Sequence, residues 1–330
     1  MSSAASIPRT VLVAPDSFKG TFTAAQVAAA IGDGLRAGGW PVDLCPAADG
    51  GEGTLDALSG PFGAQLHSAV VTDPLGRPIE ARFALGDSVA LVETAAASGL
   101  GLVGESERDP VAASTAGTGE LILAAVAAGA RTVYLGVGGS ATTDGGAGAI
   151  EAIERAGGLG NVKLVVLCDV RTPFEDAAVV FAPQKGAGEP EVRRLTKRLH
   201  ALARGWPRDP RGIPMTGAAG GLSGGLWAAC RAELVPGAAF GLDTLGFEAR
   251  MRGAHAVVTG EGKLDRQSLV GKVVSEVATR ARQAGVPCHA IVGTRELDAF
   301  GARMLDLQSV SEAPTLAQVE AAGRRLASVI

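Results

Sequence analysis

Short apolar runs alternate with amphipathic stretches along most of the chain, which is typical of strands connected by helices. The first apolar run is Val11–Ala14, and the helical stretch Ala24–Arg36 follows it, with Thr23 as a suitable N-cap. A second run, Pro41–Pro46, precedes the start of another helix at Leu55–Leu58. This alternation of strand and helix predicts a parallel sheet.

The pattern changes in the middle of the chain, where strand-like runs lie closer together. Three of them, Ser68–Thr72, Ile79–Ala84 and Val89–Glu93, are separated only by turn residues, and such short connections predict antiparallel neighbours. The alternation then resumes. Helices are expected over Gly117–Gly129, Gly145–Arg155 and Gly221–Glu233, and strands over Thr132–Leu135, Val162–Cys168 and Val179–Ala182.

The last part of the chain repeats the pattern of the first. Strands are expected over Ala254–Thr259, Cys288–Val292 and, more weakly, Leu305–Val310, with helices over Ser268–Gln283 and Leu316–Leu326. We therefore predict two α/β domains: a Rossmann-like parallel-sheet domain formed by residues 1–64 and 246–330, and a mixed-sheet α/β domain inserted at residues 65–245. The cleft between two such domains is the expected ligand site.

The composition is that of a globular protein and argues against nucleic-acid-binding, membrane-binding and zinc-binding classes. The 330 residues are 47% apolar and 19% charged, enough for two domains with a large core. The net charge of −4 and the 4% aromatic content argue against a nucleic-acid or anionic-membrane partner. The four cysteines form no CxxC pair, which argues against a zinc site. The sequence shows no signal peptide or membrane-spanning run, so a cytoplasmic location is expected.

Glycine is the informative residue type: the chain has 47, about twice the usual share of roughly 7%, and they cluster in short loops. Five loops combine glycine with carboxylate, hydroxyl or lysine side chains: Pro15–Gly20, Asp49–Gly53, Gly138–Gly146, Cys168–Val170 with Pro183–Gly186, and Gly260–Asp265 with Gly271 and Lys272. Because open α/β sheets bind ligands beyond the carboxyl ends of their strands, we expect these loops to converge.

Carboxylates and lysines among glycines favour phosphoryl transfer, which depends mainly on positioning and charge neutralisation. The catalytic candidates are Asp16, Lys19, Asp49, Asp144 and Asp169, of which the last two are candidate bases for the acceptor hydroxyl. The candidates for nucleotide binding are Gly50, Gly51, Gly138, Gly139, Ser140, Lys185, Glu261, Gly262 and Lys263, and those for Mg²⁺ are Asp49 and Glu52. The simpler alternative for each loop is a polar turn or a helix cap.

Two other functions stay open at this stage. The segment Gly136–Ala141 matches the GxGxxA pattern after a strand, which is typical of a nicotinamide-dependent dehydrogenase, although no acid closes a second strand about 20 residues later. A non-catalytic sensor of a phosphorylated metabolite would also use glycine-rich loops, but it would need fewer acids. The sequence contains neither the P-loop pattern GxxxxGK(S/T) nor the GxSxG pattern.

These loops and their flanking segments resemble the glycerate kinase type 1 family, the bacterial glycerate 2-kinases. The resemblance rests on stretches that occur in order from Val11 to Gly293, among them APDSFKGTFTA, CPAADGGEGTLDAL, GVGGSATTDGGAGAI, FAPQKGA and TGEGKLDRQSLVGK. It implies two α/β domains and the conversion of D-glycerate, as the small-molecule substrate, to 2-phosphoglycerate with ATP and Mg²⁺. The oligomeric state stays open, with a homodimer as one option.

The chain departs from the family pattern in two places. Only Gly157–Val162 joins the GGSATTDGGAG helix to the CDV strand, where the family usually has a longer segment. The family's Asp/Asn-Asn-Pro after that strand is replaced by Arg171, Thr172 and Pro173. A cation thus stands where the family has an amide or acid near Asp169, and we expect this change to affect the acceptor preference.

Overall fold

The structure is a computed structural model that describes residues 10–168, 170–269 and 271–330. The chain divides into two compact units: the first unit is Met1–Ala48 with Gly241–Ile330, and the second unit is Asp49–Phe240. These limits fall earlier in the chain than the predicted domain limits, so the loop Asp49–Gly53 belongs to the second unit. No helix in the described ranges is long and apolar enough to cross a membrane.

The first unit begins with β1 (Thr10–Pro15), α1 (Ala24–Ala37) and β2 (Val42–Leu44). Thr23 is the N-cap of α1, as predicted: its Oγ1 accepts a hydrogen bond from the Gln26 amide, and Gln26 Oε1 accepts one from the Thr23 amide. This reciprocal capping box fixes the residue at which α1 begins.

The chain continues in the second unit, where its elements are α2 (Thr54–Leu58), β3 (Gln65–Thr72), β4 (Pro78–Gly86), β5 (Val89–Glu93), α3 (Thr94–Ser98), α4 (Ala116–Ala127), β6 (Thr132–Gly136), α5 (Ala147–Arg155), β7 (Lys163–Cys168), α6 (Ala177–Phe181), α7 (Glu189–Gly205), α8 (Leu222–Ala229) and β8 (Glu233–Pro236). The strands form one six-stranded sheet in their order along the chain. Strands β3, β4 and β5 pair antiparallel, as their short connections predicted, and β5 to β8 pair parallel. The mixed α/β class predicted for this part of the chain is confirmed.

One strand predicted in this unit is wrong. The run Val179–Ala182 lies at the end of α6 and directly after it, not in a strand. Ala178 and Ala182 are buried in the same apolar cluster as Leu195 of α7, whereas Val179 is 58% exposed, so burial recurs every four residues as on a helix. An apolar run this short does not distinguish a strand from a helix by its periodicity.

The chain returns to the first unit within α9 (Gly237–Thr244), in which the limit between the units falls. The remaining elements are α10 (Phe247–Arg252), β9 (Ala254–Gly260), β10 (Lys263–Leu264), α11 (Val273–Ala284), β11 (Cys288–Val292), β12 (Thr294–Arg295), α12 (Ala299–Met304), β13 (Ser309–Glu312) and α13 (Leu316–Leu326). Five strands form a parallel sheet in the order β13-β11-β9-β1-β2, and β10 pairs with β12 separately. This parallel α/β arrangement agrees with the predicted Rossmann-like class.

The strand order of this sheet reverses direction at β1 and β9. From β1 the chain passes through α1 to β2 on one side, whereas from β9 it passes through α11 to β11 and then to β13 on the other side. Such a topological switch point opens a crevice at the carboxyl ends of the two strands, where doubly wound sheets bind their ligands. The loops after Pro15 and Gly260 therefore border the expected binding crevice.

Helices α1 and α13 approach each other closely because glycines lie at their contact. A Cβ built on Gly34 would lie 2.1 Å from the Glu320 carbonyl oxygen, and one built on Gly323 would lie 2.6 Å from the Ile31 carbonyl oxygen. A residue with a side chain at either position would force the two helices apart. The same pair of helices buries Leu35 in the core of the first unit.

We expect Gly34→Ala to lower the free energy of unfolding by about 2 kcal/mol or more, because the added methyl group separates α1 from α13. Gly205→Ala is the matched control, since a Cβ there meets no atom within 4 Å and alanine favours the helix. Urea unfolding followed by circular dichroism measures both variants. Equal stability of Gly34→Ala and the wild type would contradict this account of the packing.

Candidate active site

The first unit has a cavity of about 290 Å³ in the crevice at the carboxyl ends of β1 and β9. This switch-point cavity is bordered by residues of the first and fifth predicted loops and by the segments that follow β11 and β13. The charged and polar side chains on its walls include those of Asp16, Ser17, Lys19, Glu261, Lys263 and Lys272. Two of the five predicted loops therefore meet in this unit.

Glu261 and Lys272 form a buried ion pair in the switch-point cavity. Lys272 Nζ lies 3.3 Å from Glu261 Oε2, and the Glu261 side chain is only 6% exposed. The other carboxylate oxygen, Oε1, is buried and has no hydrogen-bond partner among the described residues. Burial raises the pKa of Glu261, and the Lys272 ammonium opposes that rise. An unpartnered buried oxygen beside a cavity is a position for a hydrogen-bond donor or a cation.

Lys272, which was not among the selected candidates, lies deeper in this cavity than the predicted Lys263. Lys263 is 51% exposed, and its Nζ lies 2.8 Å from Glu296 Oε1. Lys272 is 19% exposed and is the N-cap residue of α11. The sequence signal for Lys272 was a Gly-Lys pair directly before a helix. A phosphate-binding role for Lys263 stays a prediction.

The first loop contributes Asp16, Ser17 and Lys19 to the same cavity. Asp16 is 3% exposed, and its Oδ1 accepts a hydrogen bond of 2.7 Å from the Ser17 amide. The Ser17 hydroxyl oxygen is buried without a partner in the described part of the chain. The Asp16 amide donates to the Gly260 carbonyl oxygen at 2.8 Å, which continues the pairing of β1 with β9. Strand pairing therefore fixes the position of the Asp16 carboxylate.

The second, third and fourth predicted loops meet in the second unit, at the carboxyl ends of β6 and β7. A Cβ on Gly50 would lie 2.5 Å from the Leu167 carbonyl oxygen, and one on Gly138 would lie 2.5 Å from Gly51 Cα. The Gly138 amide donates to the Gly50 carbonyl oxygen at 3.2 Å. Close packing of the three backbones therefore requires these glycines, whatever ligand the loops bind.

Lys185 is a buried cation that the fourth loop places against the third. The residue is 3% exposed, and its Nζ donates hydrogen bonds to Ser140 Oγ, at 3.0 Å, and to the Thr142 carbonyl oxygen. The hydroxyl oxygens of Thr142 and Thr143 are buried and have no partner within the described ranges. Gly139, at φ 70°, turns the loop just before Ser140. A buried ammonium beside unsatisfied hydroxyl groups favours an anion-binding loop.

Asp144 anchors the amino ends of two helices. Its Oδ2 accepts hydrogen bonds from the Thr115 amide (2.9 Å), the Thr115 hydroxyl (2.8 Å) and the Gly148 amide (3.1 Å). Its Oδ1 accepts one from the Gly146 amide (3.0 Å). Thr115 and Gly146 are the N-cap residues of α4 and α5. This saturated, fully buried geometry favours a structural role for Asp144 over the predicted role as a base.

The predicted metal ligands lie in the second loop. Asp49 is 1% exposed, and its Oδ1 accepts a hydrogen bond of 3.0 Å from the Gly51 amide, whereas Glu52 is exposed. Across residues 10–168, 170–269 and 271–330, no three His, Cys, Asp or Glu side chains group closely enough to hold a metal ion by themselves. Asp169, the other predicted base, lies outside the described residues.

Glu93, the last residue of β5, is a candidate that the sequence analysis missed. Its Oε1 accepts hydrogen bonds from the amides of Gly53 (3.0 Å) and Leu55 (2.8 Å), so it caps α2 and holds the second loop. Burial raises the pKa of Glu93 to about 7, because it outweighs these hydrogen bonds, and the nearby Asp56 and Glu52 carboxylates add to the rise. Its partners are 40 and 38 residues away in the chain, so no local sequence signal marks this contact.

Comparisons with known proteins agree on one family. A model of the glycerate kinase family matches residues 11–157 and 153–325. The glycerate kinase of Halalkalibacterium halodurans is 39% identical over 324 residues, with 86% of this chain and 85% of the relative covered. The glycerate 2-kinase of Escherichia coli K12 is 37% identical over 325 residues, with 86% and 85% covered. A crystal structure from Salmonella typhimurium LT2, described as a glycerate kinase 2, matches with a TM-score of 0.78 and 32% identity over 97% of this chain and 98% of that chain.

The two segments of the family match overlap at residues 153–157. Helix α5 ends there, at Arg155, and β7 begins at Lys163. The junction of the two matched segments thus falls beside Gly157–Val162, the connection that is shorter here than is usual in the family.

We expect Asp144→Asn to lower the free energy of unfolding by about 1–3 kcal/mol, because an amide NH₂ would face one of the N–H groups that the carboxylate now accepts. The activity of the folded fraction should change little. Urea unfolding and turnover per folded molecule measure the two effects. A large loss of turnover with unchanged stability would return Asp144 to the list of catalytic bases.

We expect the stability of the wild type relative to Glu93→Gln to fall as pH rises from 5 to 8. The folded protein holds a proton on Glu93 up to about pH 7, whereas the unfolded chain releases it near its ordinary pKa of 4.5. Stability due to this proton is therefore lost across that window, by up to about 3 kcal/mol. Denaturant unfolding of both proteins at several pH values measures the difference, and parallel stability curves would rule the prediction out.

Proposed function

The chain belongs to the glycerate kinase family, and we propose that it transfers the γ-phosphoryl group of ATP to the 2-hydroxyl group of D-glycerate. The observation that carries this proposal is the switch-point cavity of the first unit, where lysines and carboxylates from two loops border the same space. The relatives named glycerate kinase and glycerate 2-kinase support the choice of acceptor.

The cavity has the positive charge that phosphoryl transfer needs. Lys19 and Lys272 border it, and Lys263 lies at its exposed rim. Their ammonium groups offset the negative charge of phosphate oxygens, which is the main contribution that a protein makes to this reaction. The amino end of α11 follows Lys272 directly and adds the positive end of a helix dipole.

The carboxylates of the same cavity fit Mg²⁺. Glu261 Oε1 is a buried oxygen with no hydrogen-bond partner among the described residues, and Asp16 lies on the same cavity wall. One or two carboxylates together with substrate phosphates form the ligand set that Mg²⁺ prefers in such enzymes. Glu261 and Asp16 would hold the ion there, and it would supply charge neutralisation for the phosphate groups of ATP. Asp49 and Glu52 remain candidate ligands in the second unit.

The acceptor hydroxyl must lose a proton as the new phosphate ester forms, so a carboxylate has to accept it. Asp169 remains a proposed base from the sequence, and Asp16 and Asp49, the other catalytic acids predicted there, are further candidates for this role. Asp16 shares the switch-point cavity with lysines and with Glu261 of the fifth loop, and burial raises the pKa of Glu261. A cytoplasmic location and a homodimer also remain proposals from the sequence.

A coupled assay of ADP release with Mg-ATP tests the function directly. D-glycerate should support turnover, and L-glycerate, hydroxypyruvate and tartronate should support less. Phosphorus NMR of the product distinguishes the 2-phosphate from the 3-phosphate. A sensor would release no ADP with any acid, and a dehydrogenase would instead change the absorbance of a nicotinamide cofactor without ATP.

We expect Lys272→Met and Glu261→Gln each to lower kcat/KM for glycerate by about 100-fold, because each removes one charge from the switch-point cavity. Lys163→Met is the matched control: Lys163 is 60% exposed and pairs with Glu233 on the surface, so its loss should change kcat/KM by less than about twofold. Steady-state kinetics with circular dichroism of each variant gives the answer. Wild-type kinetics in both cavity variants would remove this cavity from the proposal.

A further inference from the structure

The second unit contains a small cavity of about 10 Å³ bordered by two cations, Arg108 and Lys185. The other walls are mostly apolar and include Leu75, Leu100 and Ala141. This volume holds one water-sized group, such as an oxygen atom of a carboxylate. We refer to it as the Arg108–Lys185 cavity.

The guanidinium group of Arg108 has an unused donor at this place. Its Nε is buried and has no hydrogen-bond partner among the described residues. The nearest acid, Glu105, is 91% exposed, and its Oε1 lies 3.9 Å from Arg108 Nη1, so it offsets little of the charge. A buried guanidinium N–H without a partner is costly unless a ligand or water accepts from it.

The lysine side of the cavity is continuous with the third loop. Lys185 Nζ donates to Ser140 Oγ at 3.0 Å, and the unpartnered hydroxyl groups of Thr142 and Thr143 follow in the same loop. Asp109 also borders the cavity, but its Oδ1 accepts hydrogen bonds from the amides at positions 111 (3.0 Å) and 112 (2.9 Å). One oxygen of the Asp109 carboxylate is thus engaged by the amides of its own turn.

Hydrogen bonds hold the walls in place. The Leu75 amide donates to the buried Asp73 carboxylate at 2.8 Å, and the Leu100 amide donates to the Gly139 carbonyl oxygen at 2.9 Å. The Ala113 amide donates to the carbonyl oxygen of Asp109 at 2.9 Å. A site with fixed walls loses little entropy when it receives a ligand.

We propose that the Arg108–Lys185 cavity receives one carboxylate oxygen of the hydroxy-acid acceptor, an inference that rests on the proposed function. A carboxylate oxygen there would accept a charge-assisted hydrogen bond from Arg108 Nε and lie beside the Lys185 ammonium. The small volume and the apolar walls favour a single carboxylate end over the hydrated, multiply charged phosphate chain of a nucleotide. Arg108 would then determine the preference for an acid over an uncharged alcohol.

The test compares the wild type with Arg108→Ala and Arg108→Lys. We expect Arg108→Ala to raise KM for glycerate by about 10-fold or more, with KM for Mg-ATP changed by less than about twofold. Arg108→Lys should recover part of the loss, because it keeps the positive charge but not the Nε donor. The wild type should prefer glycerate to glyceramide, and Arg108→Ala should lose that preference. Arg155→Ala is the control, since Arg155 is 71% exposed and pairs with Glu151 within one helix.

Thermal shift separates a failure of this inference from a failure of the proposed function. Glycerate alone should raise the Tm of the wild type but not that of Arg108→Ala, whereas Mg-ATP should raise both. Unchanged KM values and an unchanged shift with glycerate in a folded Arg108→Ala would overturn the inference and leave the kinase assignment intact. A raised KM for Mg-ATP instead would assign the cavity to a phosphate and overturn it as well. If the wild type releases no ADP, the function fails, and the thermal shift still reports on the cavity.

Discussion

The parallel pairing of β1 with β9 is the constraint on which the chemistry of the first unit depends. Thr259 Oγ1 donates to the Ala14 carbonyl oxygen at 2.9 Å, between residues 245 positions apart in the chain. Gly260 ends β9 at a point where a Cβ would lie 2.2 Å from the Ile291 carbonyl oxygen, so β11 closes on the same place. Once these backbones are fixed, the loops after β1 and β9 leave the sheet side by side. The pairing of the two strands therefore brings the acids and lysines of both loops together at the switch point.

Many glycines of the second unit allow close packing of backbone segments, which is not the ligand-binding role that the sequence suggested. Glycines of the second and third loops were predicted to bind the nucleotide, yet several glycines of this unit let another backbone approach. A Cβ on Gly237 would lie 2.0 Å from the Asp49 carbonyl oxygen, and one on Gly220 would lie 2.1 Å from that of Thr142. Gly139 differs, because its Cβ would meet only the Ala95 side chain, at 3.5 Å. Among these positions, Gly139 is therefore the one that packing does not explain.

The sequence predicted what local pattern determines. Thr23 and the stretch after it had the signature of a capped helix, and the short connections between β3, β4 and β5 required antiparallel neighbours. It did not predict what depends on distant contacts. Glu93 accepts hydrogen bonds from amides 38 and 40 residues away in the chain, and nothing near Glu93 in the sequence marks these contacts. The strand predicted at Val179–Ala182 is wrong for a similar reason. This run lies at the end of α6, and its buried residue Ala182 packs in an apolar cluster with residues of α7, which are distant in the sequence.

The two cavities differ in size and in the nature of their walls, and this difference bears on what each accepts. The switch-point cavity, at about 290 Å³, is bordered by side chains of both charges, which suits a metal–phosphate group that carries both. The Arg108–Lys185 cavity, at about 10 Å³, combines two cations and the Asp109 carboxylate with mostly aliphatic walls, which suits one carboxylate oxygen of a small organic acid. A kinase for a hydroxy acid needs one site for the metal–phosphate group and another for the carboxylate of the acceptor. Both ligands are anions, so the protein has to discriminate between them by something other than charge. Volume and wall polarity discriminate between them where charge alone does not.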